Sequence, residues 1–149
     1  MSVYLATSVL IPTLIDEPTS GAVGAYLIGV EEELLISDFA AVEVAAGLSR
    51  LVRMGLLDAA EAAARLIDFE TWRAATSVPA EVHAADVRLA YAYVRRFELA
   101  LRAPDALHLA IARHLDATLV TLDLRLAHAA CEFRVAVAVP GTDSAGDPR

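Results

Sequence analysis

Three carboxylates stand out by position. Asp105 lies in Leu101-Arg102-Ala103-Pro104-Asp105-Ala106-Leu107-His108, one residue behind a proline. Asp123 closes Thr121-Leu122-Asp123 after an apolar run, and Glu43 is the only charged residue between Asp38 and Arg50. Acidic oxygens gathered at element ends suit Mg²⁺ or Mn²⁺, hard cations that prefer oxygen ligands. One or two such ions can bind a phosphate oxygen, lower the pKa of an attacking water and stabilise a leaving 3′ oxygen. Phosphodiester hydrolysis then needs no side-chain nucleophile. The sequence shows no His/Cys zinc spacing, no Walker phosphate loop and no Gly-x-Ser-x-Gly elbow, which removes several rival chemistries.

Each acid also has a plainer reading. A buried, unpaired carboxylate costs several kcal/mol unless protonated, paired or metal-bound, and Glu43 could be paired with Arg50 or Arg53. Asp105 falls in the first turn of an expected helix, where the helix dipole favours an acid. Asp123 could simply cap the helix that follows. It is their joint placement at one sheet edge that favours a metal site. His108, one turn after Asp105, could orient a water or a carboxylate or be a satisfied core histidine; no catalytic role is assigned to it.

The elements that must position these residues follow from apolar runs and turn signals. Val3-Tyr4-Leu5 reads as a buried strand ending at Ala6-Thr7-Ser8, 19–30 as a helix, and Leu34-Leu35-Ile36 as a second strand. Ser37 or Asp38 caps a helix running to about Met54 and stopping at Gly55. Asp58 and Glu61 form a capping box opening a helix to about Trp72. Ser77-Val78-Pro79 is extended, 81–97 helical, and Pro104 suits the first turn of a helix ending near Leu115. A strand at 118–121, a helix at 124–131 and a strand at 135–139 complete the pattern. Short apolar strands alternating with helices predict an α/β fold, a three-layer sandwich whose central, mainly parallel sheet carries helices on both faces. In such a sheet ligands bind beyond the carboxyl ends of the strands, where Ala6 and Asp123 both fall.

Length and composition set the outer limits. The 149 residues predict one domain over 1–140, with a polar tail at 141–149. At 57% hydrophobic and a mean hydropathy of +0.51, the chain has ample core material. It has no apolar stretch of about 18 residues to span a membrane and no basic N-terminal flank of a secretory signal. With Cys131 as the only cysteine, no internal disulfide forms, and a cytoplasmic location is expected. The net charge of −8 argues against nucleic-acid binding through a broad basic surface. All twelve basic residues are arginine, the better bidentate phosphate ligand. A receiver-like signalling domain also sets acids on a parallel sheet, but this chain has no lysine and no paired acids near the first strand.

Tyr4-Leu5-Ala6-Thr7-Ser8-Val9-Leu10, the Asp105 segment and Thr121-Leu122-Asp123-Leu124-Arg125-Leu126 together resemble the PIN-domain ribonucleases, and more narrowly the VapC toxins of type II toxin–antitoxin systems. The resemblance spans nearly the whole chain. It implies Mg²⁺- or Mn²⁺-dependent endonucleolytic cleavage of RNA, a homodimer and a VapB-type antitoxin that blocks the site. It places Glu43, Asp105 and Asp123 among the acidic metal-site residues and Thr7 and Ser8 at the corner beside them. Ala6 stands in the slot of a first aspartate. Alanine offers no oxygen to a metal, so the resemblance implies a toxin whose activity is lost or impaired in this chain; whether the replacement is deliberate or natural stays open. Arg102 and Arg125 flank the acids as RNA-phosphate contacts or as ordinary surface ion-pair partners. The other reading is a non-catalytic PIN-like protein that binds an antitoxin or RNA. An antitoxin helix could dock on Leu56, Leu57, Leu66, Ile67, Phe69 and Trp72, or these residues could pack internally.

Overall fold

A computed structural model describes residues 1–142; of the tail expected at 141–149, residues 143–149 lie outside the described residues. In chain order the elements are β1 (Ser2–Leu5), α1 (Thr7–Leu14), α2 (Ser20–Gly29), β2 (Glu33–Ser37), α3 (Asp38–Arg53), α4 (Ala59–Thr76), β3 (Ser77–Ala80), α5 (Ala84–Val94), a 3-10 turn at Phe97–Leu99, α6 (Ala103–His114), β4 (Thr118–Val120), α7 (Leu124–Glu132) and β5 (Val137–Ala138). The strands form one sheet in the order β3-β2-β1-β4-β5, and every neighbouring pair is parallel.

Alternation along the strands divides the core into two layers, because successive side chains point to opposite faces. Val3 and Leu5 of β1, Ile36 of β2 and Val120 of β4 pack against Val9, Val23, Val44 and Phe69 from α1 to α4. Tyr4, Leu35 and Leu119 point the other way, onto Tyr93, Leu109 and Leu126 from α5 to α7. The α/β three-layer architecture read from the sequence is therefore the one observed. No helix among the described residues is long and apolar enough to cross a membrane.

Several boundaries differ from expectation for local reasons. The stretch after β1 is helical from Thr7, although Pro12 sits inside that helix. Proline removes one amide bond from a helix, but burial of Val9, Leu10 and Pro12 against the first core layer holds α1 in place. The capping box at Asp58 and Glu61 forms with bonds of 2.7 and 2.9 Å. Its helix runs on to Thr76, past Trp72, and leads directly into β3. Helix α5 opens at Ala84 rather than at Glu81, because Asp86 Oδ2 accepts the His83 amide at 2.8 Å and sets the start there. β3 lies at the sheet edge, where Pro79 interrupts no inner ladder. Of the residues considered for an antitoxin groove, Phe69 is fully buried, while Trp72, Leu66 and Leu57 pack against the core. Only Ile67 and Leu56 are strongly exposed, at 67% and 65%.

Candidate active site

β1 is the central strand, with β2 on one side and β4 on the other. The chain moves outward from β1 through β2 to β3, then returns to place β4 against the opposite edge of β1. The carboxyl ends of β1 and β4 therefore flank the crevice where α/β sheets bind ligands. Past the strand ends, the Ala6 amide donates to Val120 O at 3.0 Å, which holds the two corners together.

A pocket of about 170 Å³ opens at this crevice, lined by Ala6, Thr7, Ser8, Glu43, Asp105, His108, Thr121, Asp123 and Leu126. The three acids come from different elements. Glu43 lies in α3, Asp105 in the first turn of α6, and Asp123 is the N-cap of α7. Asp123 Oδ1 accepts from the amides of Arg125 and Leu126 at 2.9 and 3.2 Å. That bonding is the helix cap the plainer reading anticipated, and it uses one carboxylate oxygen only.

Glu43 is paired with neither Arg50 nor Arg53. Its Oε1 accepts from Thr7 Oγ1 at 2.7 Å and pairs closely with His108 Nε2. Behind the imidazole, Tyr4 OH lies 2.7 Å from His108 Nδ1 and 2.8 Å from Ser37 Oγ, and Ser37 Oγ accepts the Ala40 amide at 3.0 Å. One set of donors satisfies every link: the Ala40 amide donates to Ser37, Ser37 to Tyr4, Tyr4 to His108 Nδ1, and His108 Nε2–H to Glu43. Burial, ahead of smaller electrostatic effects, pushes the Tyr4 phenol well above its ordinary range, so it keeps the proton this chain requires. Burial pushes the Glu43 carboxyl up, but the hydrogen bond and electrostatic attraction of the His108 N–H and the hydrogen bond from the Thr7 hydroxyl outweigh it, and the net shift is downward. Glu43 is thus held as an oriented carboxylate.

Asp105 behaves oppositely. Burial first, then the negative charge of Asp123, raises its carboxyl above the ordinary range. Thus one acid carries negative charge that its neighbours penalise, while Asp123 keeps Oδ2 and Glu43 keeps Oε2 clear of the bonds described. This all-oxygen donor set fits a hard divalent cation, whose charge would relieve that repulsion.

Ser8 and Thr121 pin the floor. Ser8 Oγ lies 3.1 Å from Thr121 Oγ1 and accepts the Leu122 amide at 2.9 Å, while Thr121 Oγ1 accepts the Asp123 amide at 3.1 Å. Ala6, directly after β1, and Asp123, three residues beyond β4, share a role: each has extended backbone and is the N-cap of the next helix. Ala6 alone provides no side-chain cap. Arg102 and Arg125 are exposed and lie outside the pocket lining. The sequence did not mark Tyr4 or Ser37 as partners of the site; the only signal toward the relay was His108, one turn after Asp105.

The PIN-domain family model matches residues 3–131, and the chain belongs to that family. PIN domains are generally nucleases that use divalent metal ions. Among solved structures, FitAB bound to an IR36 DNA fragment matches with a TM-score of 0.71 at 23% identity, covering 98% of this chain and 99% of that one. FitAcB from Neisseria gonorrhoeae matches with a TM-score of 0.62 at 23% identity, over 92% and 96% of the two chains. VapBC2 from Rickettsia felis, bound to a DNA fragment from its promoter, matches with a TM-score of 0.67 at 15% identity, over 94% and 99%. These proteins are similar in fold to this chain. No curated protein matches the chain.

Proposed function

We propose that this chain is the toxin subunit of a type II toxin–antitoxin system, built as a Mg²⁺- or Mn²⁺-dependent endoribonuclease and impaired by alanine at position 6. The observation that carries this reading is the convergence of Glu43, Asp105 and Asp123 on one pocket at the β1/β4 crevice. A bound ion supplies charge neutralisation at phosphate and a lowered pKa for an attacking water. The residues supply the geometry. Thr7 and His108 hold Glu43 through Oε1 and leave Oε2 clear of those bonds, and the α7 amides hold Asp123 through Oδ1 in the same way. Asp105 adds the carboxylate whose ionisation the pocket penalises until a cation is near. Arg102 and Arg125, exposed beside the acidic residues, are suited to RNA phosphates.

The partner we propose is a VapB-type antitoxin, in keeping with the toxin–antitoxin complexes that share this fold, and the assembled toxin is a homodimer acting in the cytoplasm. Residues 1–140 form its single PIN-like domain. Co-purification with the product of the adjacent gene checks the antitoxin; no association under native conditions removes that partner.

Ala6 also favours a second reading, a non-catalytic PIN-like protein that binds an antitoxin or RNA. The two separate in one experiment: cleavage mapping on cellular RNA with the parent and with Ala6→Asp, each with and without Mg²⁺. The ribonuclease reading expects little cutting by the parent and Mg²⁺-dependent cutting by the variant. Equal cutting by both defeats the missing-ligand argument, and none by either, with no metal bound to Ala6→Asp, leaves the binding reading.

A further inference from the structure

Linear spacing in this chain shows no zinc motif, yet the fold brings two histidines and a carboxylate together away from the acidic pocket. His83, Asp86 and His114 each offer one ligand atom, and these atoms lie within 4.8 Å of one another. We propose that this trio is a second cation site, for a borderline transition ion of the Zn²⁺ class, which ties the start of α5 to the end of α6.

The site is built around a buried carboxylate. The Asp86 side chain is 3% exposed, whereas those of His114 and His83 are 33% and 47% exposed. Asp86 Oδ2 is held by the His83 amide at 2.8 Å, which directs Oδ1 to His114 Nδ1 at 3.3 Å. Bonds of about 2.0–2.1 Å at tetrahedral angles put neighbouring ligands roughly 3.3–3.4 Å apart, so the Asp86–His114 edge already has that length. The His83 ring stands 4.3 Å from the His114 ring, centroid to centroid, and supplies a second nitrogen on the same side. Glu81 Oε2 lies 3.3 Å from His83 Nε2. A carboxylate beside a ring nitrogen is the usual support for a metal-bound histidine. The exposed side of the trio gives an entry path and an open fourth position.

Two imidazoles with one carboxylate select Zn²⁺, Co²⁺ or Ni²⁺ over Mg²⁺, the reverse of the all-oxygen pocket. The two places do not merge. None of the trio lines the acidic pocket, and His114 lies nine residues beyond Asp105 on α6, about 13 Å of helical rise.

The test titrates Co²⁺ into the untagged full chain at neutral pH and reads visible d–d absorption. One equivalent of a low-coordinate spectrum is expected, displaced by Zn²⁺ but not by excess Mg²⁺. His83→Ala and His114→Ala each weaken binding at least about 10-fold. Asp105→Asn/Asp123→Asn keeps the spectrum, as does His128→Ala, which alters an exposed histidine outside the trio. His83→Gln and His114→Gln, checked by circular dichroism, stand in if an alanine variant fails to fold. Zn²⁺ should also raise the Tm of the parent and not that of the His83 variants. No Co²⁺ spectrum in the parent, a spectrum untouched by the His83 and His114 changes, or one lost with Asp105 and Asp123 overturns the site. None of these readouts depends on RNA cleavage, so the acidic pocket can fail as a nuclease centre while this site stands.

Discussion

At the scale of single residues, Ala6 and Asp105 lead to distinct measurements. Ala6→Asp places a carboxylate at the N-cap of α1, where such a residue contributes about 0.5–2 kcal/mol, and beside three other acids, where it is repelled. The two effects oppose each other in EDTA, so the metal-free variant should unfold close to the parent. Excess Mg²⁺ should then separate them. A ligand at about 100 times its Kd stabilises by about 2.7 kcal/mol, and the Tm of the variant should rise well above that of the parent. RNA cleavage should rise at least about 10- to 100-fold. Identical melting curves in Mg²⁺ would remove Ala6 from the ligand set.

Asp105 has a folded-state pKa raised above its unfolded value, so the fold binds that proton more tightly than the open chain. Stability is therefore lost as pH rises from the ordinary aspartate range through the raised value, and the loss persists above it. Asp105→Asn should raise the Tm of metal-free protein at neutral pH by about 1–3 °C, a gain kept small by solvent screening. The gain should vanish below about pH 3, where aspartate is protonated in both states. A neutral-pH Tm at or below that of the parent refutes the assigned repulsion. Glu43 has the opposite sign: its lowered pKa gives stability that is present above the ordinary glutamate range and lost as pH falls through the folded value.

At the scale of elements, α3 depends on Ser37 twice. The hydroxyl caps the helix through the Ala40 amide and supports Tyr4 behind His108. Ser37→Ala should cost about 1–2 kcal/mol from the cap and the weakened buried link, read as a lower urea midpoint. It should also loosen Glu43, so in an Ala6→Asp background the kcat for RNA cleavage should fall. A normal midpoint shows that the cap and relay carry no stability. The elements also show where sequence reading succeeds. Apolar runs and caps marked β1, β2, α3, α4, α6 and β4, because their signals are local. Helix α1 was hidden by Pro12, whose cost is outweighed by burial that only the fold supplies. Glu43 was visible as the lone acid inside an apolar helix, and Asp105 and Asp123 as acids at helix starts. The tie from Tyr4 to His108 joins residues 104 positions apart, and no linear pattern marks it.

At the scale of the molecule, one set of exposed apolar side chains lies on and just beyond α5: Val87 at 55%, Tyr91 at 68% and Phe97 at 83%. Such a patch on an otherwise acidic chain is a natural self-association face. If the homodimer implied by the resemblance uses it, light scattering after size-exclusion chromatography should report a dimer for the parent and a monomer for Tyr91→Glu. An unchanged mass for the variant moves the dimer surface elsewhere. The cluster of His83, Asp86 and His114 also belongs to this scale, because His114 meets the other two only when α5 and α6 pack.

The central position of β1 sets the order in which a growing polypeptide can mature. The first strand leaves the ribosome early, but its β4 neighbour and the last acid of the pocket follow more than a hundred residues later. Long-range parallel pairing is slow to form and cannot begin before both partners exist. A nascent chain halted anywhere before Asp123 therefore lacks an assembled pocket, and truncated translation products should be catalytically silent whatever residue occupies position 6.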